Sequence, residues 1–344
     1  MNKKRFFNMR EFILVAFGCF AAVAGISGEQ SAFAQQKAEP VTLNFSAFVP
    51  GTNPEMINFT KGFVNKAVEL SKGRLAFKFR GGPETIATAD LPKATQSGMF
   101  DFSLNLVGVV ETICPGVGGI VLSRIWVDQE RSNGTYAYIN ELCNKAGLYF
   151  MGRGSPVKDF EFFNLFLNKK VERPEDFKKL RIGTTVACRA LTEAWGATPV
   201  NLIMADYYTA MERGTVDGIC SAPLDTWVSQ GCQAVTKYVA LPGYLQNSGV
   251  VMMNLAAWKK LPPDLQQVIT EAMIYTEKLG EELRMQDKAK ALQKLKEAKV
   301  DVYNLPPDTA KWLVETAYSA TWAFQMKRFP SETPRLRQLI SGGY

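Results

Sequence analysis

The chain of 344 residues contains no histidine. That removes histidine general bases, Ser-His-Asp and Cys-His nucleophile systems, and the usual histidine-ligated metals. What remains is carboxylate, lysine or tyrosine chemistry. Of the six cysteines, Cys19 falls in an N-terminal apolar run. The other five, Cys114, Cys143, Cys188, Cys220 and Cys232, lack the CxxC form of a metal or redox site and read as buried thiols. An odd number in an oxidising compartment leaves at least one unpaired, and the spacings favour no pairing. No catalytic residue, metal or cofactor is expected. Ligand binding is better served. Arg189 stands near the start of a short helix in KKLRIGTTVACRALTEAWGATPV, residues 178–200. A helix N-terminus adds positive potential there, so Arg189 is either an anion anchor or a charge on a wet helix face. Glu84, in a Gly-Gly-Pro-Glu turn, can accept from a hydroxyl or an ammonium. Asn105 ends a predicted strand, and Arg153 sits in MGRGSP. Phe160, Phe162 and Phe163 are core residues by type, with one available to floor a pocket.

These residues must be positioned by alternating strands and helices. VTLNFSAFV (41–49), GRLAFKFRGG (73–82) and FDFSLNLVG (100–108) read as strands, the second with Leu75, Phe77 and Phe79 on one face. Residues 58–70 read as an amphipathic helix between the first two. That alternation predicts α/β architecture with largely parallel sheets. One segment echoes another: ADLPKATQSGMFDF from Ala89 and ADYYTAMERGTVDG from Ala205 share alanine, aspartate and glycine positions, ending on Gly98 and Asp101 or Gly214 and Asp217. Each reads as a short helix stopped by glycine, then an aspartate that opens a buried strand. Two lobes built to one plan would place their strand ends at a shared cleft. Residues 262–298 carry a Pro-Pro-Asp start and then a long helix, apolar in its first half and charged in its second. It can brace two lobes or support a homodimer. Residues 307–329 read as a further helix.

The formal net charge is +7, with Lys and Arg scattered among acids rather than gathered, so no nucleic-acid partner is expected. The N-terminus is basic (MNKKRFFNMR), then apolar (residues 12–26), then Ala32-Phe33-Ala34, the form of a signal peptide over 1–34 cut after Ala34. An N-terminal anchor helix is the alternative, although the run is short for a membrane span.

Taken together, GGPETI (81–86), ATQSGMFDFSL (94–104), FKKLRIGTT (177–185), WGATPVNL (195–202), YTAMERGTVDG (208–218), AVTKYV (234–239) and WKKLPPDLQQVI (258–269) resemble the DctP-like substrate-binding proteins of tripartite ATP-independent periplasmic (TRAP) transporters. The resemblance implies a two-lobe Venus-flytrap fold with hinge strands and a long bracing C-terminal helix. Lobe I would take 41–160 and 247–288; lobe II would take 161–246 and 289–344. It also implies a periplasmic receptor, not an enzyme, that binds a small organic solute and delivers it to membrane subunits of a transporter. An organic anion with an apolar or aromatic body is the first reading. A neutral or cationic solute is the alternative, as is presentation of the closed receptor to a sensor. Such proteins usually end the strand at position 183 with an arginine that grips a carboxylate; here Gly183 stands there. A second family arginine falls near Phe163, a cleft asparagine near Ser221 and a cleft phenylalanine at Met204. Asp225, Trp227 and Tyr244 fall at cleft positions, and Arg189 becomes a substitute clamp.

Overall fold

The computed structural model describes residues 39–342, apart from 155, 157–160 and 247–248. The expected signal peptide and Phe160 therefore lie outside the described residues. Eleven strands form two sheets among the described residues. The first contains β1 (Val41–Ala47), β2 (Leu75–Phe79), β3 (Phe102–Asn105), β4 (Leu148–Arg153) and β10 (Val250–Asn254), in the order β2-β1-β3-β10-β4. The second contains β5 (Phe163–Leu167), β6 (Arg181–Thr184), β7 (Thr198–Asn201), β8 (Gly218–Ala222), β9 (Tyr238–Tyr244) and β11 (Asp301–Asn304), in the order β11-β9-β5-β8-β6-β7.

The two sheets repeat one plan. β1 lies parallel to β2 and β3, and β10 runs antiparallel to β3 and β4. β6 likewise lies parallel to β7 and β8, and β5 runs antiparallel to β8 and β9. The echo in the sequence marks equivalent points. The helices Leu91–Gln96 and Tyr207–Glu212 each give way to a glycine with positive φ, +82° at Gly98 and +64° at Gly214. Then Asp101 donates its N–H to Asn44 O at 2.8 Å and accepts the Asn44 N–H on its carboxylate at 2.7 Å. Asp217 does the same with Arg181, at 2.7 and 2.9 Å. In both lobes one aspartate closes the start of a strand onto the strand beside it.

Aromatic packing fills the first lobe. Phe102 stacks on Phe45 with centroids 4.7 Å apart and receives the edge of Phe63 at 5.6 Å. Burying each ring contributes about 1.5–3 kcal/mol, and ring pairing adds about 0.5–1.5 kcal/mol. The expected alternation in β2 fades along the strand. Leu75 is buried, Phe77 is half-buried and Phe79 is 36% exposed, because β2 is an edge strand whose end leaves the core.

The long helix Pro263–Glu297 spans 35 residues, roughly 50 Å at 1.5 Å per residue. Its first half packs on the helical segment 54–70 and on β4 of the first sheet; further along it meets the helix Leu224–Ser229 and β11 of the second. Glu277, buried on this helix, accepts from Arg131 Nε (2.6 Å), Tyr136 Oη (2.6 Å) and Arg153 N (3.0 Å), pinning the helix to β4. A second bridge comes from the helix Pro307–Arg328. It packs against the helix Arg189–Ala194 and β9 on one side, and against residues Val117–Leu122 on the other. Trp195, buried beneath it, donates to Leu313 O at 3.0 Å. Among the described residues no helix is long and apolar enough to cross a membrane.

Candidate functional site

The shared plan brings the ends of β1, β3, β6 and β8 toward the junction of the two lobes. There the turn after β3 approaches the turn after β6: a Cβ placed on Gly108 would lie 3.8 Å from Ala187 Cβ. Between the second sheet and the long helix lies an open cavity of about 400 Å³ of atom-free space including its solvent mouth, of which about 30 Å³ is room for the centres of water-sized bodies. Phe162 and Asn164 line it from the start of β5, Pro223, Leu224 and Asp225 from the end of β8, and Glu281, Arg284 and Lys288 from the long helix.

Arg284 is the centre of this arrangement. Its Nη1 reaches both oxygens of Asp225, at 3.1 and 3.4 Å, and its guanidinium lies 4.7 Å over the centroid of the Phe162 ring. Both charged side chains are mostly covered, 11% and 13% exposed. Phe163, on the opposite face of β5, meets Phe162 edge-on at 5.2 Å. On the first-lobe side Glu55 is half-buried, and its Oε1, shut from solvent, has no hydrogen-bond partner. Burial raises its pKa; the nearby Arg284 guanidinium offsets part of that, while Asp225 adds to it. Lys288 pairs with Glu161 at 3.1 Å across the cavity edge.

Of the residues expected from the sequence, Asp225 lines this cavity and Phe163 backs it. The others sit elsewhere or are occupied. Arg153 is 1% exposed, locked to Glu130 at 2.9 Å and donating to Ile120 O and Gln246 O. Arg189 is half-exposed and pairs along its own helix with Glu193 at 2.9 Å. Glu84 is exposed and accepts its own turn's Gly82 N–H at 2.6 Å, which holds its carboxyl below the ordinary range. Trp227 is fully buried, stacked on Phe166 at 4.0 Å and bonded to Thr236 Oγ1 at 2.9 Å. Tyr244 is buried and donates to Cys220 O. Ser221 is buried against Tyr207 Oη at 2.7 Å. Met204 is half-buried against the second-lobe core. Asn105 ends β3 as expected; its Nδ2 donates to Ser103, while its buried Oδ1 has no partner.

Gly183 is explained by its neighbours. A Cβ there would lie 2.2 Å from Ile219 Cδ1 and 2.8 Å from Leu202 Cδ1. The space that a side chain would enter is filled from β8 and from the segment after β7.

Sequence reasoning missed Arg284, Asn164 and Glu55. For Arg284 a signal was present. The inward face of the long helix runs Leu265, Ile269, Ala272, Thr276, Gly280 and resumes at Ala291 and Leu295. Arg284 falls four residues after Gly280, in register with that face, so its charge points inward rather than to solvent. Among the described residues no group of three or more His, Cys, Asp or Glu side chains is arranged to hold a metal.

Comparison with known proteins follows the same lines. The family model DctP, bacterial extracellular solute-binding protein, family 7, matches residues 158–327. The C4-dicarboxylate-binding periplasmic protein DctP of Rhodobacter capsulatus is 27% identical over 133 residues, 38% of this chain and 40% of that protein. The match thus spans well under half the length of that relative. A TRAP periplasmic solute binding protein from Desulfovibrio salexigens with bound orotic acid superposes with a TM-score of 0.75 at 19% identity, over 87% of this chain and 97% of that one. DctP7 of Bordetella pertussis, an extracytoplasmic solute receptor binding pyroglutamic acid, superposes with a TM-score of 0.73 at 17% identity, over 88% and 99%. These structural likenesses establish the two-lobe α/β fold.

Proposed function

Taking as premise that the chain is a DctP-like, TRAP-type solute-binding protein, we propose that it is a periplasmic receptor for a small organic anion. The observation that carries this reading is a two-lobe fold with a cavity between the second sheet and the long helix, lined from β5, β8 and that helix and carrying a mostly covered arginine over a phenylalanine. The aromatic ring suits an apolar body, and the guanidinium suits an acid. A ligand that touches both lobes only when they are closed stabilises the closed form by that difference in contact. The closed receptor then docks on the membrane subunits of a TRAP transporter, and no bond is made or broken in the ligand. Export by the segment 1–34 with cleavage after Ala34 belongs to the same reading. The relatives named above that carry ligands hold small acids, orotic and pyroglutamic, which supports an acid here.

The test is a thermal-shift screen on protein that has been unfolded, dialysed and refolded to strip any co-purified solute. Organic acids, neutral alcohols and amines are compared at matched ionic strength. An acid at one hundred times its Kd stabilises the folded state by about 2.7 kcal/mol and raises Tm by several degrees. Stabilisation by amines or alcohols but not by acids would turn the reading to a cationic or neutral solute, for which Glu161, Asp225 and Glu281 in the lining are the motive. No stabilisation by any class contradicts the receptor reading.

A further inference from the structure

Two other arginines stand where strands end near the lobe junction, and both are occupied. Arg153 is fully buried on Glu130 and two backbone carbonyls. Arg189 pairs along its own exposed helix with Glu193. Arg284 differs from both. Among the described residues only Nη1 is hydrogen-bonded, to Asp225; Nε and Nη2 have no acceptor there and stay within reach of solvent, although the side chain is only 11% exposed. Asn164 lines the same cavity, is 1% exposed, and its Nδ2 also lacks an acceptor. Folded proteins seldom leave buried donors unanswered, and those that remain call for a partner. An accessible guanidinium edge is what a carboxylate answers, with two oxygens against a planar fork, and Asn164, whose Nδ2 lies toward Gly243 of β9, lines the same cavity. Position 183 cannot supply such a group without displacing Ile219 and Leu202.

We propose that Arg284, carried on the long helix, is the anion anchor of this receptor, with Asn164 as its companion donor, and that the ligand is a small monocarboxylate. The proposal rests on the receptor reading above and narrows it. The cavity lining carries three carboxylates, Glu161, Asp225 and Glu281, against two cations, Arg284 and Lys288. One incoming carboxylate finds the open guanidinium edge. A second would meet a surplus of like charge in a partly covered space, where repulsion is poorly screened. Because the helix that carries Arg284 packs on both sheets, an acid held there also ties ligand binding to the element that links the lobes.

The experiment uses isothermal calorimetry and thermal shift on the stripped receptor. The probes are benzoate, isovalerate and pyroglutamate as monocarboxylates, succinate as a dicarboxylate, and benzamide as an uncharged isostere. Two variants are compared with wild type: Arg284→Gln combined with Asp225→Asn, which removes the pair without stranding one charge, and Arg284→Lys, which keeps charge but loses the fork. Arg189→Ala serves as a control. The expected result is binding of at least one monocarboxylate, at least tenfold weaker succinate and benzamide, and at least a tenfold loss in both Arg284 variants with Arg189→Ala unchanged. Monocarboxylate binding that survives both variants overturns the anchor while leaving the receptor reading in place. Succinate or benzamide bound as tightly as the monocarboxylates overturns the ligand class. Failure of all monocarboxylates while an amine or alcohol from the screen above binds overturns the proposal and the anion part of the receptor reading, leaving a receptor for another solute; failure of every solute overturns the receptor reading as well.

Discussion

Gly183→Ala tests why this lobe has no side chain at the end of β6. The position is buried, between β7 and β8, and its φ is not in the left-handed region, so alanine meets no backbone strain. The obstacle is packing. The new Cβ would stand 2.2 Å from Ile219 Cδ1 and 2.8 Å from Leu202 Cδ1, whereas carbon atoms rest near 3.5–4.0 Å. Ile219 is itself fully buried. An extra carbon forced into such a place costs about 1–3 kcal/mol. Loss of glycine's freedom in the unfolded chain returns about 0.4–1 kcal/mol. The net expectation is a destabilisation of about 0–2.6 kcal/mol. Ile219→Val removes the offending Cδ1 and by itself costs about 0.5–1.5 kcal/mol. In that background only the Leu202 contact remains, so Gly183→Ala should cost less than in wild type, a coupling of about 1 kcal/mol between the two sites. Urea denaturation followed by tryptophan fluorescence on the four proteins of the cycle measures it. If the two effects simply add, the crowding argument is wrong and the glycine must be explained otherwise. Arginine at 183 should be far worse than alanine and should not create an acid clamp.

Three further outcomes follow from the structure. Arg153→Met strands the buried Glu130 carboxylate and should cost about 3–5 kcal/mol, or prevent folding, as read by circular dichroism and thermal melting; a weakened ligand with unchanged stability would instead place Arg153 in the binding site. Glu55 has a pKa raised first by burial, with Arg284 only partly offsetting, so its contribution is intact below the unfolded carboxylate range and declines as pH rises through the folded value. Glu55→Gln, which mimics the protonated form, should match wild type near pH 4 and melt higher at pH 8; equal melting at both would remove the penalty. Burial pushes the thiols of Cys188 and Cys220 up, and that of Cys232 up to about 11, while Cys143 is raised by the hydrogen bond its thiol makes to Cys114 and by burial. Protein beginning at Gln35 should therefore resist a thiol reagent at pH 8 when native and release five thiols in denaturant; three in denaturant would reveal one disulfide.

Much of the fold was readable because periodic patterns encode it locally. The strand at 41–49, the helix after Pro262 and the helix at 307–329 appear nearly where composition places them. The echo between Ala89 and Ala205 proved informative because Asp101 and Asp217 hold the same backbone groups in two sheets of the same order. The site was less readable. Arg153, Trp227 and Tyr244 have types that bind ligands, yet their partners are Glu130, Thr236 and the Cys220 carbonyl, 23, 9 and 24 residues away. Nothing near them in sequence discloses those partners. Arg284 was obscured by its surroundings: charged neighbours made the second half of the long helix resemble a wet surface, and only its register with Gly280 and Ala291 set it apart. Asn164 reads as a polar interruption in the apolar run of β5, and its unanswered amide exists only once β9 and the cavity are in place.

The most direct measurement is a crystal structure of the stripped protein soaked or co-crystallised with the acid that most raises its Tm. The account predicts that acid in the cavity between β5, the end of β8 and the long helix, its carboxylate within hydrogen-bond distance of Arg284 Nε or Nη2 and its body against Phe162. An acid bound elsewhere, with Arg284 still turned only to Asp225, would contradict it.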